Sequence, residues 1–374
     1  MSDFQPDPSD APVGAQPDSW SNTSLMICEV CQARFLPLNG GAADATAPLQ
    51  RCPQCYQAEL VSQALSDEIQ PFIHPAELAI PFALSTADID QAVQRFANGI
   101  PFPPSDLTGE RLRSRLNRIY LPMWLVDAQV KAEWQAEAGF NYRVISRQER
   151  YSAQGWSSQP VEEQRIRWEP RLGRLQRAYQ NIVVPALEDH RRLQAALGEF
   201  DLRQAQPYQI RLAQNVLLRL PDRPPQAAWS EAKPALQSAA AEECRRAARA
   251  DHLRRFAWRP KFNSLNWTLL LLPVYTTYYL DDEGHPQAVW INGKSGQLSG
   301  RRRASPSRAR RAALIWLIAA AICFLISLAL AAASTFAPLL LALAVLALTF
   351  ALLAGIGAAT PLLRVWWFNR PASA

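Results

Sequence analysis

Near its C-terminal end the chain has a long stretch with no charge at all: the 52 residues from Ala312 to Leu363 contain no Asp, Glu, Lys, Arg or His. Two apolar runs lie inside this stretch, Leu314 to Ala333 with Ser327 as its only hydroxyl, and Leu339 to Ala354 interrupted only by Thr349. A bilayer core takes about 20 apolar residues per helix, which leaves room for two spans. Ala-Ser-Thr-Phe-Ala-Pro (333–338) is small and polar enough to turn the chain between them, and Pro338 suits a helix start. Backbone groups in lipid must be paired within their own segment, so residues 312–363 are expected to form a transmembrane helical hairpin rather than a buried soluble pair.

Other absences narrow the function. Residues 301–374 contain eight Arg and no acid, whereas residues 1–24 contain Asp3, Asp7, Asp10 and Asp18 and no Lys or Arg. The formal net charge of +6 therefore resides mainly in the anchor. The N-terminus lacks the basic start and apolar core of a signal peptide, so the residues before the spans are expected to stay in the cytosol. There is no G-x-S-x-G and no H-E-x-x-H, and the four His are scattered at 74, 190, 252 and 285. Gly293-Lys294-Ser295 resembles the end of a phosphate-binding loop, but Ala288 stands where that loop needs Gly and no helix follows. Asp281, Asp282, Glu283 and His285 cluster in a tight turn that offers no pocket. No enzyme is expected.

The charge that is present sets an orientation. Arg301, Arg302, Arg303, Arg308, Arg310 and Arg311 precede the first span, and Arg364, Trp366, Trp367 and Arg370 follow the second. Basic flanks stay on the cytoplasmic side and Trp favours the headgroup zone. The expectation is an inner-membrane protein with two spans and both termini cytoplasmic. The Arg run (301–311) reads better as juxtamembrane contact with anionic lipid than as a nucleic-acid patch.

Four of the six Cys form two close pairs, Cys28-Glu-Val-Cys31 and Cys52-Pro-Gln-Cys55. Each C-x-x-C sets two thiolates on one turn, and two facing turns make a closed tetrahedral site for structural Zn2+, one per chain. A redox dithiol is the rival, but such motifs stand singly beside a βαβ pattern. Gln32 and Tyr56 follow the second Cys of each pair, where many zinc ribbons have Gly, and are expected to distort the turns slightly. Residues 37–48 look like a loose loop.

The remaining chain reads as α+β. Residues 1–24 form a disordered acidic tail, 25–60 the ribbon, and 61–160 the first part of an α/β domain. Phe72-Ile-His74 and Leu78–Phe82 are short extended pieces. Ser85-Thr-Ala-Asp88 caps a helix to about Phe96. A second helix begins near Phe102 and carries Leu107, Leu112, Leu116 and Ile119. Tyr120–Trp134 is a strand expected to turn at Glu137-Ala-Gly139 and pair with Phe140–Ile145. In 161–260, Leu172, Leu175, Tyr179, Ile182, Val183 and Leu187 suggest a helical stripe, and another helix runs from about Trp229 to Phe256. That region is expected to be a helical insertion, after which residues 261–300 complete an antiparallel sheet. Leu121-Pro-Met-Trp124 echoes Leu272-Pro-Val-Tyr275, which suggests adjacent strands. Residues 364–374 form a short cytosolic tail.

The order of these phrases carries a resemblance. The two Cys pairs are followed by Arg118-Ile-Tyr-Leu-Pro-Met-Trp-Leu-Val-Asp-Ala-Gln-Val, then Leu271-Leu-Pro-Val-Tyr, then Val289-Trp-Ile-Asn-Gly-Lys-Ser-Gly-Gln-Leu-Ser-Gly, then the spans. This order resembles bacterial membrane-anchored zinc-ribbon proteins often labelled TFIIB-type or primosomal protein N′-like. The primosomal label implies a helicase, for which the sequence supplies no ATP site. The expected role is that of an adaptor or scaffold contacting a cytosolic protein. The alternative is nucleic-acid binding through the ribbon, which is disfavoured by having only Arg34 and Arg51 as bases between Leu25 and Leu60.

Overall fold

A computed structural model of the chain describes residues 25–38, 51–64, 69–152, 155–209, 216–334 and 339–370. The expected acidic tail, most of the expected loop at 37–48, residues 335–338 of the expected turn and the last four residues lie outside these.

Three short strands, β1 (Leu25–Cys28), β2 (Arg34–Pro37) and β3 (Leu60–Gln63), carry the Cys pairs. After β4 (Leu78–Ala79) come α1 (Thr86–Asn98) and α2 (Gly109–Ser114). Two very long strands follow, β5 (Asn117–Ser152) and β6 (Gly155–Pro185). Helix α3 (His190–Leu197), β7 (Gln206–Pro207), β8 (Leu217–Arg219) and α4 (Pro225–Ala247) lead to the third long strand, β9 (His252–Leu280). β10 (Pro286–Asn292) and β11 (Leu298–Gly300) complete the sheet, and α5 (Pro306–Ala333) and α6 (Leu339–Phe368) close the chain.

All of these strands belong to one sheet, along which the order is β11-β10-β9-β5-β8-β2-β1-β3. It is antiparallel except at β5–β8 and β4–β9, which pair parallel over two residues each. The Leu121 and Leu272 phrases are direct cross-strand partners. Between Ile119 and Val126 every residue of β5 is buried, because both faces are covered. From there to Ala138 burial alternates, and Ala128, Val130 and Ala132 face Leu236 and Ala240 of α4. Helix α4 buries Ala228, Ala232, Leu236, Ala240 and Cys244, a four-residue spacing of mostly small side chains that lets it lie close on the sheet.

Several expectations need correction. Residues 161–260 are not a helical insertion. They begin inside β6 and end inside β9, with α3 and α4 between. Arg, Gln and Leu favour helix, yet 29 pairings with β5, interrupted by a single register shift, override that weak bias, and Pro170 would have cost an internal helix about 3 kcal/mol. Helix α4 stops at Ala247 rather than Phe256, since Phe256, Trp258 and Phe262 alternate as strand residues packed on one another. Nor does β5 turn at 137–139, for Gly139 sits between Trp168 and His252 in unbroken pairing. The helix expected from Phe102 is only α2, capped by Thr108, and Leu116 and Ile119 lie beyond it. Phe72 ends a 3-10 turn rather than lying in an extended piece.

The capping box at Ser85 is formed, with Ser85 Oγ accepting from the Asp88 N–H and Asp88 accepting from the Ser85 N–H. Helix α1 buries Ile89, Val93 and Phe96 in a cluster that also takes in Ala304, Ala309 and Val365 of the anchor. The anchor is thus keyed to the sheet. Tyr279 Oη donates to the Arg301 carbonyl at 2.7 Å and accepts the Arg303 N–H at 3.0 Å. Asp282 accepts from Ser305 and from the Ser307 N–H, and Asn369 exchanges two hydrogen bonds with the backbone of Ala304.

Helices α5 and α6 are each long and apolar enough to cross a membrane, at 28 and 30 residues. Their outward faces expose Leu314, Ile318, Leu325, Leu346 and Leu353 among others. Small residues, Ala313, Ser327, Ala344, Ala351 and Ala358, occupy the buried seam, and Ser327 Oγ donates to the Ala344 carbonyl at 2.8 Å.

Near the key lies a buried carboxylate. Burial alone would raise the pKa of Asp106, but bonds from Arg115, the Leu280 N–H and Arg111 hold it at about 2. Because the folded value lies below the ordinary carboxylate value, this stabilisation is complete above about pH 4 and is lost as pH falls toward 2. Its size is on the order of 2 kcal/mol. Asp106→Asn is expected to lower the thermal midpoint at pH 7 and to flatten the loss of stability between pH 4 and 2. A variant as acid-sensitive as the parent would count against this role.

Candidate metal centre

Each Cys pair sits on a tight turn closed by backbone hydrogen bonds. In the first turn the Gln32 N–H donates to the Cys28 carbonyl at 2.9 Å and the Cys28 N–H to Ala33 at 3.0 Å. The second repeats this pattern, Tyr56 to Cys52 at 2.8 Å and Cys52 to Ala58 at 2.8 Å. The four ligand atoms of Cys28, Cys31, Cys52 and Cys55 all lie within 4.8 Å of one another. Two of the separations across the turns, Cys28 to Cys55 and Cys31 to Cys52, are 3.6 Å. A tetrahedron with metal–sulfur bonds of about 2.3 Å has edges of about 3.8 Å, so the donor set fits a metal ion and is compatible with zinc.

The electrostatics of the four thiols suit a cation. A hydrogen bond from Cys52 pulls Cys31 down to about 5, while that same bond and burial push Cys52 far above its ordinary value. Burial pushes Cys55 up to about 11. One sulfur can ionise at the expense of its neighbours; a divalent ion stabilises all four as thiolates.

The turn geometry is not distorted in the way the missing glycines suggested. Gln32 and Tyr56 both adopt the left-handed conformation that glycine favours, with φ of 58° and 57°. At Gln32 the side chain stays outside and donates to the Glu29 carbonyl. Tyr56 is completely buried. Its ring stacks on Tyr278 with centroids 4.5 Å apart, and its hydroxyl donates to Thr276 Oγ1 at 2.7 Å. Phe35 is also fully buried and lies under the Arg219 guanidinium. No local pattern signals these docking residues, because Thr276 and Tyr278 lie more than two hundred residues further along the chain.

The lobe is consequently an extension of the main sheet. β2 pairs with β8 through Phe35–Arg219, Leu36–Leu218 and Pro37–Leu217, and Cys28 and Cys52 share a hydrophobic cluster with Ile119, Leu121 and Leu272.

The other candidates have structural roles. Asp281, Glu283 and His285 do come together, but the Asp281 carboxylate already accepts from the Glu283 and His285 N–H groups, Gln287 and Arg303. In the Gly293-Lys294-Ser295 turn, Asn292 Oδ1 accepts the N–H groups of Lys294 and Ser295. Cys244 is buried against the sheet, and His252 contacts Asn141.

Comparison with family models, with curated proteins and with solved structures finds no match for this chain.

Proposed function

We propose that this protein is a membrane-anchored zinc-ribbon adaptor, without enzymatic activity, that holds a cytosolic protein partner at the inner face of a bacterial membrane. Zinc is the ion of the four-cysteine centre, one per chain, and its role is structural because four thiolates close the coordination shell. The observation that carries the reading is the continuity from the four-cysteine lobe through the sheet to the anchor, which makes a bracket fixed to the membrane.

Nucleic acid is the weaker reading. Both arginines of the lobe rest on rings of its surroundings, Arg34 at 4.2 Å from the Phe72 centroid and Arg51 at 5.5 Å from that of Tyr278. Phosphate contact would have to displace them, and counterion release at phosphates supplies much of the affinity in such complexes. Exposed Val30 offers an apolar contact on the same lobe.

The test uses the intact protein recovered from membranes, with co-purifying proteins and nucleic acid identified. A protein partner lost in Val30→Asp, which leaves the metal in place, is the expected result. Micromolar nucleic-acid binding at physiological salt, lost in the Arg34→Ala, Arg51→Ala double variant, would reverse the ranking. For orientation, Cys introduced at Ser334 should react with an impermeant thiol reagent in whole cells, while Cys at Ser21 or Ser373 should not.

A further inference from the structure

Beyond Gly139 the sheet narrows. β9 stops at His252, opposite Gly139, while β5 and β6 continue as a two-stranded arm, 140–152 against 155–167. At about 3.3 Å per residue the arm is about 43 Å long. None of its described side chains is buried, and Ile145, Tyr151 and Trp156 are 74%, 70% and 73% exposed. A lone two-stranded ribbon is marginal in water, so a length like this calls for a neighbour.

The two edges of the arm differ. Pro160 interrupts the outer edge of β6, and a residue without an N–H blunts an edge against further pairing. The opposite edge, from Phe140 to Ser152 of β5, contains no proline and lies where β9 would have continued. At its start the Asn141 N–H is taken by the Asp251 carboxylate at 2.7 Å, and the backbone groups beyond it are a template for another strand.

We propose that this edge is a self-association site, filled by the same segment of a second copy. The two β5 segments run antiparallel about a two-fold axis at Ser146, making a four-stranded sheet β6-β5-β5-β6 across the pair. Charge and overlap together select this register, since centring on Gln148 would also set Arg147 against Glu149 but would align only residues 144–152. The Ser146 register sets Arg143 opposite Glu149 of the second copy, and symmetry repeats the pair. Centring on Ile145 would set Arg143 against Arg147, and centring on Arg147 would set that residue against itself. Like charges directly opposite destabilise a sheet, and unlike charges stabilise it.

Apolar residues agree. Opposite residues on antiparallel strands share a face, so Trp156 pairs with Tyr151, and Ile166 with Asn141. With Asn141 of one copy opposite Tyr151 of the other, the aromatic pair at each tip lies in one row with Ile166 of its neighbour. The anchors, at the Leu280 end of β9, then stand at the two far ends of the paired arms.

The test uses the full chain in detergent, with Cys244 and Cys323 replaced by Ala and the metal bound. Ser146→Cys, on the axis, is expected to give a covalent dimer with a short bis-maleimide. Ser158→Cys, on β6 and away from the axis, is expected to give none above the parent. Glu149→Arg should lower the Ser146→Cys yield about tenfold, by replacing two attractive pairs with two repulsive ones. Adding Arg143→Glu should restore it. Metal content checks that each variant retains its fold. A monomer by light scattering at tens of micromolar, equal cross-linking at both positions, or failure of the charge swap to restore the dimer would each overturn the proposal.

Discussion

Cys52→Ser is expected to release the metal and to unfold the β3-β1-β2-β8 side of the main sheet along with the four-cysteine lobe. A structural Zn2+ site supplies an apparent 10 kcal/mol or more, roughly the whole stability of an ordinary domain. Three thiolates with a serine hydroxyl would hold the ion far more weakly. Were the four-cysteine lobe a separate unit beside an α/β domain with its own core, the damage would stop there. The structure points to a wider effect. β8 has β2 on one side and only a two-residue contact with β5 on the other. Tyr56 and Cys52 also share packing with the centre of the sheet. The checks are metal analysis and limited proteolysis of the intact protein. Full metal occupancy in the variant would refute the four-ligand assignment. Metal loss with no new cleavage around residues 216–220 would refute the coupling to β8.

Gln32 and Tyr56 are expected to respond in opposite senses to loss of their side chains, although they occupy equivalent places after their Cys pairs. A non-glycine residue at positive φ carries about 1 kcal/mol of strain, which glycine relieves. Gln32 is exposed on its turn, so Gln32→Gly is expected to be neutral or to stabilise by up to about 1 kcal/mol. Tyr56→Gly gains the same relief but empties a fully buried site. Truncating a buried aromatic residue costs about 3–5 kcal/mol, and here Thr276 also loses its hydroxyl partner. Tyr56→Gly should therefore destabilise by about 3 kcal/mol, and Tyr56→Phe by about 1 kcal/mol. Thermal midpoints of the metal-loaded proteins decide it. A Tyr56→Gly variant as stable as Gln32→Gly would show that the ring does not dock the lobe.

Local chemistry was legible and distant pairing was not. Ser85 and Asp88 cap α1 because the box is complete within four residues, and the apolar runs give α5 and α6 because length and composition suffice. The four Cys come together because each pair lies on its own turn. β6 was hidden because its Arg, Gln and Leu content favours helix, and its strand conformation comes from β5 alongside. Leu172 and Leu175 also fall at a helical interval by coincidence, and Leu172 is 86% exposed. The continuity of β5 through Gly139 was hidden for a related reason. A glycine flanked by strand residues signals a turn, yet here a Cβ would come within 2.8 Å of the Trp168 ring, and only glycine admits that ring across the strand. The docking of Tyr56 depends on partners so distant in sequence that no local pattern could reveal them.

The keyed joint between Tyr279–Asp282 and Arg301–Ser307 has a mechanical consequence. β5 starts beside Thr276, close to that joint, and continues without a break to Ser152. At about 3.3 Å per residue its span is about 115 Å, so a tilt of about 5° at the membrane swings the tip through about 10 Å. Tyr279, on the sheet side of the joint and holding both the Arg301 carbonyl and the Arg303 N–H, stands at the fulcrum of a lever. A small change in the seating of the two spans, produced by bilayer thickness or by a neighbouring helix, would be magnified into a displacement the size of a side-chain contact surface at the far end.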